Sequence, residues 1–140
     1  MIRKATENDL NTIMNIWLST NISAHNFIPE EYWHNHFEDV RTAISSVEVY
    51  VFEDGVIKGF VGLAENYIAG IFMKEEFQSK GIGRKLIHFL QSFKSELVLN
   101  VYEQNKNAVR FYEKQGFQIS QRNIEKETGQ MEFQMIWKKA

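Results

Sequence analysis

The apolar residues in the first third of the chain recur at helical spacing. One face of a first predicted helix consists of Leu10, Ile13, Met14 and Trp17. The hydroxyl of Thr6 and the carboxylate of Asp9, three residues later, are typical of a capped helix start. A second helix is predicted after Pro29, which suits a first helical turn, and its apolar face consists of Trp33, Phe37, Val40 and Ile44. A short strand at residues 1–4 precedes both helices, and a loop at residues 23–28 joins them.

From Val47 the helical pattern gives way to segments rich in β-branched and aromatic residues. Residues 47–52 and 56–64 are two such segments, and residues 53–55 between them supply a turn, so a hairpin is predicted. Residues 67–73 form another predicted strand. Gly70 in the middle of that strand is typical of a bulge or of a close approach by another group.

A crossover unit is predicted after this strand. The glycine-containing segment at residues 81–83 leads into a helix whose apolar face consists of Ile82, Leu86, Ile87, Leu90 and Phe93. A strand at residues 97–101 follows, which gives the order strand, loop, helix, strand of two parallel strands joined by a helix.

The remaining residues predict one more helix and a closing hairpin. Asn105 can cap a helix that reaches Gln115, and Gly116 suits a left-handed exit from it. The hairpin turns near residues 128–129. The whole order predicts an α/β (α+β) fold: a mostly antiparallel sheet of six to seven strands with one central parallel step and about four helices.

The composition restricts the possible functions. The chain has 140 residues, 44% of them hydrophobic, so we expect one domain over residues 1–140. Its 16 Lys and Arg against 18 Asp and Glu give a net charge of −2, unlike the dense positive surface that nucleic acids require. The absence of cysteine excludes disulfides and thiolate nucleophiles. With no apolar run near the roughly 18 residues of a membrane span, we expect no membrane partner and a cytoplasmic location.

The segment at residues 78–85 carries the most specific signal for binding. It follows a strand and opens a helix, where free backbone N–H groups and the helix dipole favour an anion, and Gly81 and Gly83 allow close backbone approach. The simpler alternative is that the two glycines only permit a tight turn. A dinucleotide fingerprint would need Gly or Ala at the position of Leu86, and no Walker sequence is present.

Two motifs identify a family. Gln78, Gly81 and Gly83 match the pattern Gln/Arg-x-x-Gly-x-Gly/Ala, which resembles the coenzyme A loop of Gcn5-related N-acetyltransferases (GNAT). Residues 105–117 resemble the second signature of that family at every named position: Asn105, Ala108, Tyr112, Gly116 and Phe117. The predicted order of elements is also that of the GNAT fold. The chain is most similar in these features to small single-domain bacterial acetyltransferases that act on amines or protein lysines.

The resemblance implies a set of residues that bind acetyl-CoA. The backbone of Ile71, Phe72 and Met73 would hold the pantetheine arm and the acetyl carbonyl, and Gly70 could permit a bulge that aims an N–H group at the thioester oxygen. Asn105 and Ala108 would contact the pantetheine, although Asn105 also suits a simple helix cap. The pyrophosphate would be bound by the loop residues Gln78, Ser79, Lys80, Gly81, Ile82, Gly83, Arg84 and Lys85.

The resemblance also implies direct attack of an amine on acetyl-CoA in a ternary complex. Tyr112 would donate a proton to the departing thiolate, although its spacing from Ala108 also suits a core aromatic residue. Because a thiol has a pKa of about 8.5 and a tyrosine about 10, Tyr112 would act first as a hydrogen-bond donor. Glu65, before the cofactor-binding strand, is the leading candidate for the base that deprotonates the amine. His25 is the second, with an ordinary pKa suited to that role.

The acceptor site is expected at the loop before the second helix. His25, Phe27 and Tyr32 are the candidate substrate-binding residues there, and the acceptor could be a small molecule or a protein. His34 and His36 diverge on their helix, so no metal is expected. The chain could be a monomer or a homodimer. The alternative function is a non-catalytic acyl-CoA-binding regulatory domain.

Overall fold

The computed structural model describes residues 1–140 and contains a seven-stranded sheet flanked by helices. The strands are β1 (Ile2–Lys4), β2 (Glu48–Asp54), β3 (Val56–Ala64), β4 (Tyr67–Met73), β5 (Glu96–Tyr102), β6 (Gln118–Ile124) and β7 (Met131–Lys138). The helices are α1 (Leu10–Ala24), α2 (Glu30–Ile44), α3 (Ile82–Gln91) and α4 (Lys106–Lys114), and short 3₁₀ turns lie at Glu7–Asp9 and Glu75–Phe77. None of the helices is long and apolar enough to cross a membrane.

The strand order is β1-β2-β3-β4-β5-β7-β6, and every neighbouring pair is antiparallel except β4 and β5. This arrangement confirms the predicted fold class. Helices α1 and α2 cover one face of the sheet, where Ile13, Met14 and Phe60 form the centre of a core cluster. Helices α3 and α4 cover the other face, where Leu86, Leu99 and Met135 are almost fully buried.

The two central strands separate soon after they meet. Tyr67 opposite Val98 is the single paired position between β4 and β5, and the N–H of Val98 donates to the carbonyl of Asn66 at 2.9 Å. Beyond this point β4 remains paired only on its other side, with β3. A parallel pair normally continues its evenly spaced hydrogen bonds, so the separation leaves one edge of β4 open in the middle of the sheet.

A bulge lies where β4 leaves β5. Leu63 of β3 is opposite Ile68, whereas Gly62 is opposite Gly70, so Ala69 is an extra residue in β4. A bulge had been expected at Gly70, and it lies at the neighbouring residue.

Two details of the helices differ from the sequence-based expectations. Helix α1 continues to Ala24, two residues into the expected loop. Helix α3 ends at Gln91, so Phe93 lies outside it and is 48% exposed instead of completing its apolar face. The ring of Phe93 instead packs edge-on against Phe89 and Tyr50, with centroids 5.3 Å and 6.2 Å away.

An ion-pair network fixes the start of the chain on the sheet. Arg3 of β1 donates two hydrogen bonds to Asp9, at 2.8 and 3.1 Å, and two to Glu53 of β2, at 2.9 and 3.3 Å. Asp9 also accepts the backbone N–H of Thr6 at 2.7 Å, as predicted for the helix start. The Arg3 guanidinium holds the pKa of the buried Asp9 carboxyl at about 2.

We predict that Asp9→Asn lowers the free energy of unfolding by about 1–3 kcal/mol at pH 7, because a charge-assisted, partly buried network is lost. The folded pKa of Asp9 lies below that of the unfolded chain, about 3.9, so its contribution is present above pH 4 and disappears as the pH falls to about 2. Urea unfolding of both proteins at several pH values measures this difference.

Asp54→Asn is the matched control. Asp54 pairs with Lys58 at 3.4 Å, but its side chain is 75% exposed, so we expect a change of less than about 0.5 kcal/mol. Equal losses in the two variants, or a loss at Asp9 that persists unchanged at pH 2, would contradict the assignment.

Candidate active site

The open edge of β4 presents main-chain groups without strand partners. The N–H of Lys74 donates to the carbonyl of Lys58 at 2.9 Å, and hydrogen bonding alternates along an antiparallel pair. The main-chain N–H and C=O groups of Gly70 and Phe72 therefore form hydrogen bonds with β3, whereas those of Ile71 and Met73 point toward β5. Of the three residues expected to hold the pantetheine, Phe72 is on the wrong side for its backbone to do so.

Gly70 has a different role from the one expected. A Cβ atom at this position would clash with the Phe72 ring, so the glycine makes room for an aromatic ring of its own strand. Its N–H faces β3. The N–H that follows the bulge and faces the open edge is that of Ile71, which is the donor placed to stabilise negative charge on a carbonyl oxygen.

A loop with two left-handed residues joins β4 to α3. Ser79 has φ 63° and Gly81 has φ 83°, and no atom lies within 4 Å of a Cβ built on Gly81. The first N–H of α3 with a helical acceptor is that of Lys85, which donates to Gly81 at 3.1 Å. The N–H groups of Ile82, Gly83 and Arg84 have no acceptor within the helix, which creates a site for an anion.

The side chains of this loop support both its shape and its charge. The Gln78 side chain donates to the carbonyl of Met73 at 3.1 Å and so ties the loop to the end of β4. Lys80, Arg84 and Lys85 are exposed, which surrounds the free N–H groups with positive charge.

The absence of a side chain at Gly83 allows close packing around the start of α3. It is buried, and a Cβ there would lie 3.0 Å from Cε of Met73 and 3.1 Å from Cζ of Phe111. The start of α3 therefore sits directly against the end of β4 and against α4. Of the two glycines that the sequence pattern singled out, only Gly81 is needed for its backbone conformation.

Helix α4 carries the second motif. Asn105 caps the helix, as predicted, by accepting the N–H of Ala108 at 3.4 Å. Tyr112 is 8% exposed and lies between the rings of Phe111 and Phe117, at 5.3 and 5.8 Å, so it is a core residue as well as a candidate donor. Burial raises the pKa of the Tyr112 hydroxyl, which therefore stays protonated at neutral pH. No protein group forms a hydrogen bond with it.

His25 belongs to an aromatic cluster at the end of β5. Its ring stacks on Trp33 at 5.3 Å and meets Phe27 and Tyr102 edge-on at 5.6 and 5.1 Å. Nε2 lies 3.3 Å from the side-chain nitrogen of Asn105, which brings two candidate residues together. Burial lowers the pKa of His25 to about 4, below the ordinary value expected for a base.

Glu65 lies apart from these residues. It occupies the exposed turn between β3 and β4 with φ 57°, at the end where β4 is still paired with β5. Six residues of extended strand, or about 20 Å, separate it from Ile71. This distance argues against Glu65 as the base.

The sequence did not reveal three glutamates near the aromatic cluster. Glu127, in the turn between β6 and β7, accepts the Tyr32 hydroxyl at 3.0 Å and lies 3.3 Å from Nε2 of His36. Glu132 of β7 is opposite Tyr102 of β5 and is half-buried; burial, and then Glu125, raise the pKa of Glu132. Burial also raises the pKa of Tyr102 to about 12.

These carboxylates lie about 95 residues from α2 along the chain, and no local pattern connects the two segments. The other histidine of the expected diverging pair, His34, contacts Glu30 at 3.4 Å instead. Phe27 and Tyr32 are half-buried at the edge of the cluster, whereas Trp33 is in the core.

The chain is similar to proteins of one known family. Residues 20–138 match the family model of the acetyltransferase (GNAT) domain. The chain is 35% identical over 122 residues to the peptidyl-lysine N-acetyltransferase YiaC of Escherichia coli K12, covering 85% of this chain and 84% of that protein.

Solved structures of other proteins have the same fold. The solution structure of apo YjaB from Escherichia coli has a TM-score of 0.88 and 25% identity, covering 100% of this chain and 98% of that one. The PaiA N-acetyltransferase of Thermoplasma acidophilum, solved in complex with coenzyme A, has the same fold with a TM-score of 0.81 at 22% identity, covering 99% and 98% of the two chains. The chain therefore belongs to the GNAT family and is an acetyltransferase.

Proposed function

We propose that this enzyme transfers an acetyl group from acetyl-CoA to the side-chain amine of a protein lysine, by direct attack in a ternary complex. The observation that carries the proposal is the open edge of β4, which runs from the bulge at Ala69 to the anion-binding start of α3. The name of the 35% identical relative, a peptidyl-lysine N-acetyltransferase, supports lysine as the acceptor.

The open edge and the loop together suit coenzyme A. The pyrophosphate would accept hydrogen bonds from the free N–H groups of Ile82, Gly83 and Arg84. Lys80 and Lys85 would add positive charge around it. The amide groups of the pantetheine arm would pair with Met73 in the manner of an added strand. This orientation would bring the thioester to Ile71, next to the bulge.

The transfer itself requires two proton movements. The amine nitrogen attacks the thioester carbon, and the N–H of Ile71 stabilises the oxygen as negative charge develops on it. The C–S bond then breaks, and the sulfur takes the hydroxyl proton of Tyr112, which recovers one from the new amide nitrogen through water. Because the raised pKa of Tyr112 opposes early ionisation, its proton moves only as charge builds on sulfur.

The acceptor would arrive as an ammonium ion and must lose a proton, which passes to solvent water, before it attacks. Glu125, Glu127 and Glu132, around the aromatic residues Tyr32 and Tyr102, favour a cation there through charge and through the ring faces. We therefore assign acceptor binding to this group together with Phe27, and we no longer propose Glu65 as the base. The chain has no cysteine, so a cysteinyl acyl-enzyme is impossible and direct attack remains.

We expect Tyr112→Phe to lower kcat by about 100-fold and to leave the Kd of acetyl-CoA nearly unchanged, because only proton donation is removed. Thiol release with a lysine peptide, mass spectrometry of that peptide and calorimetry of acetyl-CoA binding provide the measurements. An equal loss of binding and turnover would make Tyr112 a packing residue. Absence of peptide acetylation by the wild-type enzyme would overturn lysine as the acceptor.

We expect Gly81→Ala to weaken coenzyme A binding by about tenfold, since a left-handed conformation costs a non-glycine residue about 1–2 kcal/mol and the loop relaxes out of it. Gly55→Ala is the matched control: Gly55 has φ 78° and equally free surroundings, but lies in the turn between β2 and β3. Calorimetry should give the wild-type Kd for the control. Similar weakening in both variants would remove the loop from the cofactor site.

We expect an NMR titration of His25 to give a pKa of about 4. This folded value lies below the value of about 6.5 in unfolded chains, so the unfolded state takes up more protons and stability falls as the pH drops from 6.5 to 4. His25→Phe should flatten this dependence, whereas His88→Gln, at an exposed position of α3, should not. A measured pKa near 6.5 would restore His25 as a candidate base.

A further inference from the structure

An apolar pocket lies between the α1–α2 layer and strands β3 and β4. Its volume is about 220 Å³, and it is lined by ten residues, none of them charged. Trp17, Phe60 and Phe72 form its aromatic walls, Gly62 and Gly70 contribute to its floor, and Ala43 of α2 lies at its exposed rim. We call it the α2 pocket.

The space exists because two glycines face each other across the sheet. Gly62 of β3 is opposite Gly70 of β4, so neither of these two positions projects a side chain into the pocket. Gly70 is required by the Phe72 ring, but Gly62 is not required by its surroundings. A Cβ at Gly62 would lie 3.6 Å from Cβ of Ala69, an ordinary contact, and its φ is not positive. Glycine within a strand lowers stability, so the free volume itself is the feature that Gly62 provides.

The position of the α2 pocket connects it with the proposed reaction centre. Gly70 and Phe72, which line it, flank Ile71, the residue whose N–H would hold the thioester oxygen. A carbon chain beyond the thioester carbonyl can therefore leave along this face of β4. The carboxylates that would attract an ammonium ion lie instead around Tyr102 at the end of β5. The uncharged lining suits the acyl group rather than the amine.

The volume is larger than an acetyl group needs. A cavity of about 150 Å³ with an apolar lining is enough to bind benzene in another protein. The methyl group of acetyl-CoA would leave most of the α2 pocket empty, whereas a chain of four to six carbons would fill it. Each buried methylene should tighten binding by about three- to fourfold.

We propose that the α2 pocket binds the hydrocarbon chain of acyl groups longer than acetyl, so that the enzyme transfers short- and medium-chain acyl groups from acyl-CoA to its amine acceptor. This proposal rests on the proposed function. The reaction balances as it does for acetyl: a C–N bond forms, the C–S bond breaks, and coenzyme A leaves as the thiol, with the proton that the amine gives up ending on sulfur.

The test compares acetyl-, butyryl- and hexanoyl-CoA. Calorimetry without acceptor measures each Kd, and thiol release with a lysine peptide measures each kcat/KM. We expect the Kd to fall about threefold or more per added methylene until the pocket is full. Gly62→Val and Ala43→Phe, which fill the pocket from its floor and its rim, should lower the hexanoyl-to-acetyl ratio of kcat/KM by about tenfold or more.

Thr42→Phe is the matched control, because Thr42 is exposed on the same helix and is not part of the lining. It should keep the wild-type ratio. Gly62→Ala, which adds one methyl group at an ordinary contact distance, is the second variant if Gly62→Val does not fold, and circular dichroism monitors folding.

Three results would overturn the proposal. The first is an equal Kd for acetyl- and hexanoyl-CoA, and the second is the same hexanoyl-to-acetyl ratio of kcat/KM in the filled variants and in the control. The third is a higher KM for the peptide in the filled variants with that ratio unchanged, which would assign the pocket to the acceptor. Failure of the proposed function is a separate result. Acetyl-CoA would then yield no acylated peptide, while the Kd series would still report on the pocket.

Discussion

The site depends on the early separation of two parallel strands. Backbone N–H and carbonyl groups in a protein interior almost always find partners, and a central strand normally finds them on both sides. Here β4 and β5 pair at Tyr67 and Val98 alone, so the main-chain groups of Ile71 and the N–H of Met73 have no strand partner in the middle of the sheet; the Met73 carbonyl accepts the Gln78 side chain. The bulge at Ala69 re-aims the strand at this point. A bound molecule with amide groups can complete the pairing that β5 does not supply.

Each glycine of the site is present for a different structural reason. Gly81 adopts a left-handed conformation, Gly70 accommodates the Phe72 ring and Gly83 lets α3 approach Met73 and Phe111. Gly62 meets none of these requirements and leaves space. Position in a motif therefore does not define the role of a glycine, since Gly81 and Gly83 stand two residues apart in one motif and act in unrelated ways.

The sequence predicted the features whose causes are local. Helical spacing, the Thr6–Asp9 and Asn105 caps and the left-handed exit at Gly116 are confirmed, because neighbouring residues determine them. The loop at Gln78–Lys85 and Tyr112 could be proposed from the sequence because each belongs to a short motif. The sequence could not reveal what depends on packing between distant segments: the burial that lowers the pKa of His25, and the approach of Glu127 and Glu132 to α2 and Tyr102. Glu65 was expected near the reaction centre because its position in the sequence does not indicate at which end β4 separates from β5.

The contact of Gly83 with Met73 and Phe111 has a consequence for the thermodynamics of ligand binding. Through it, the anion-binding turn, the open strand edge and the helix of Tyr112 form one interlocked body before any ligand arrives. The conformational entropy lost on binding then falls mainly on the long, flexible cofactor rather than on the polypeptide. Such preorganisation means that the flexibility of the ligand limits the affinity, and it fixes the proposed proton donor, Tyr112, relative to the open edge of β4.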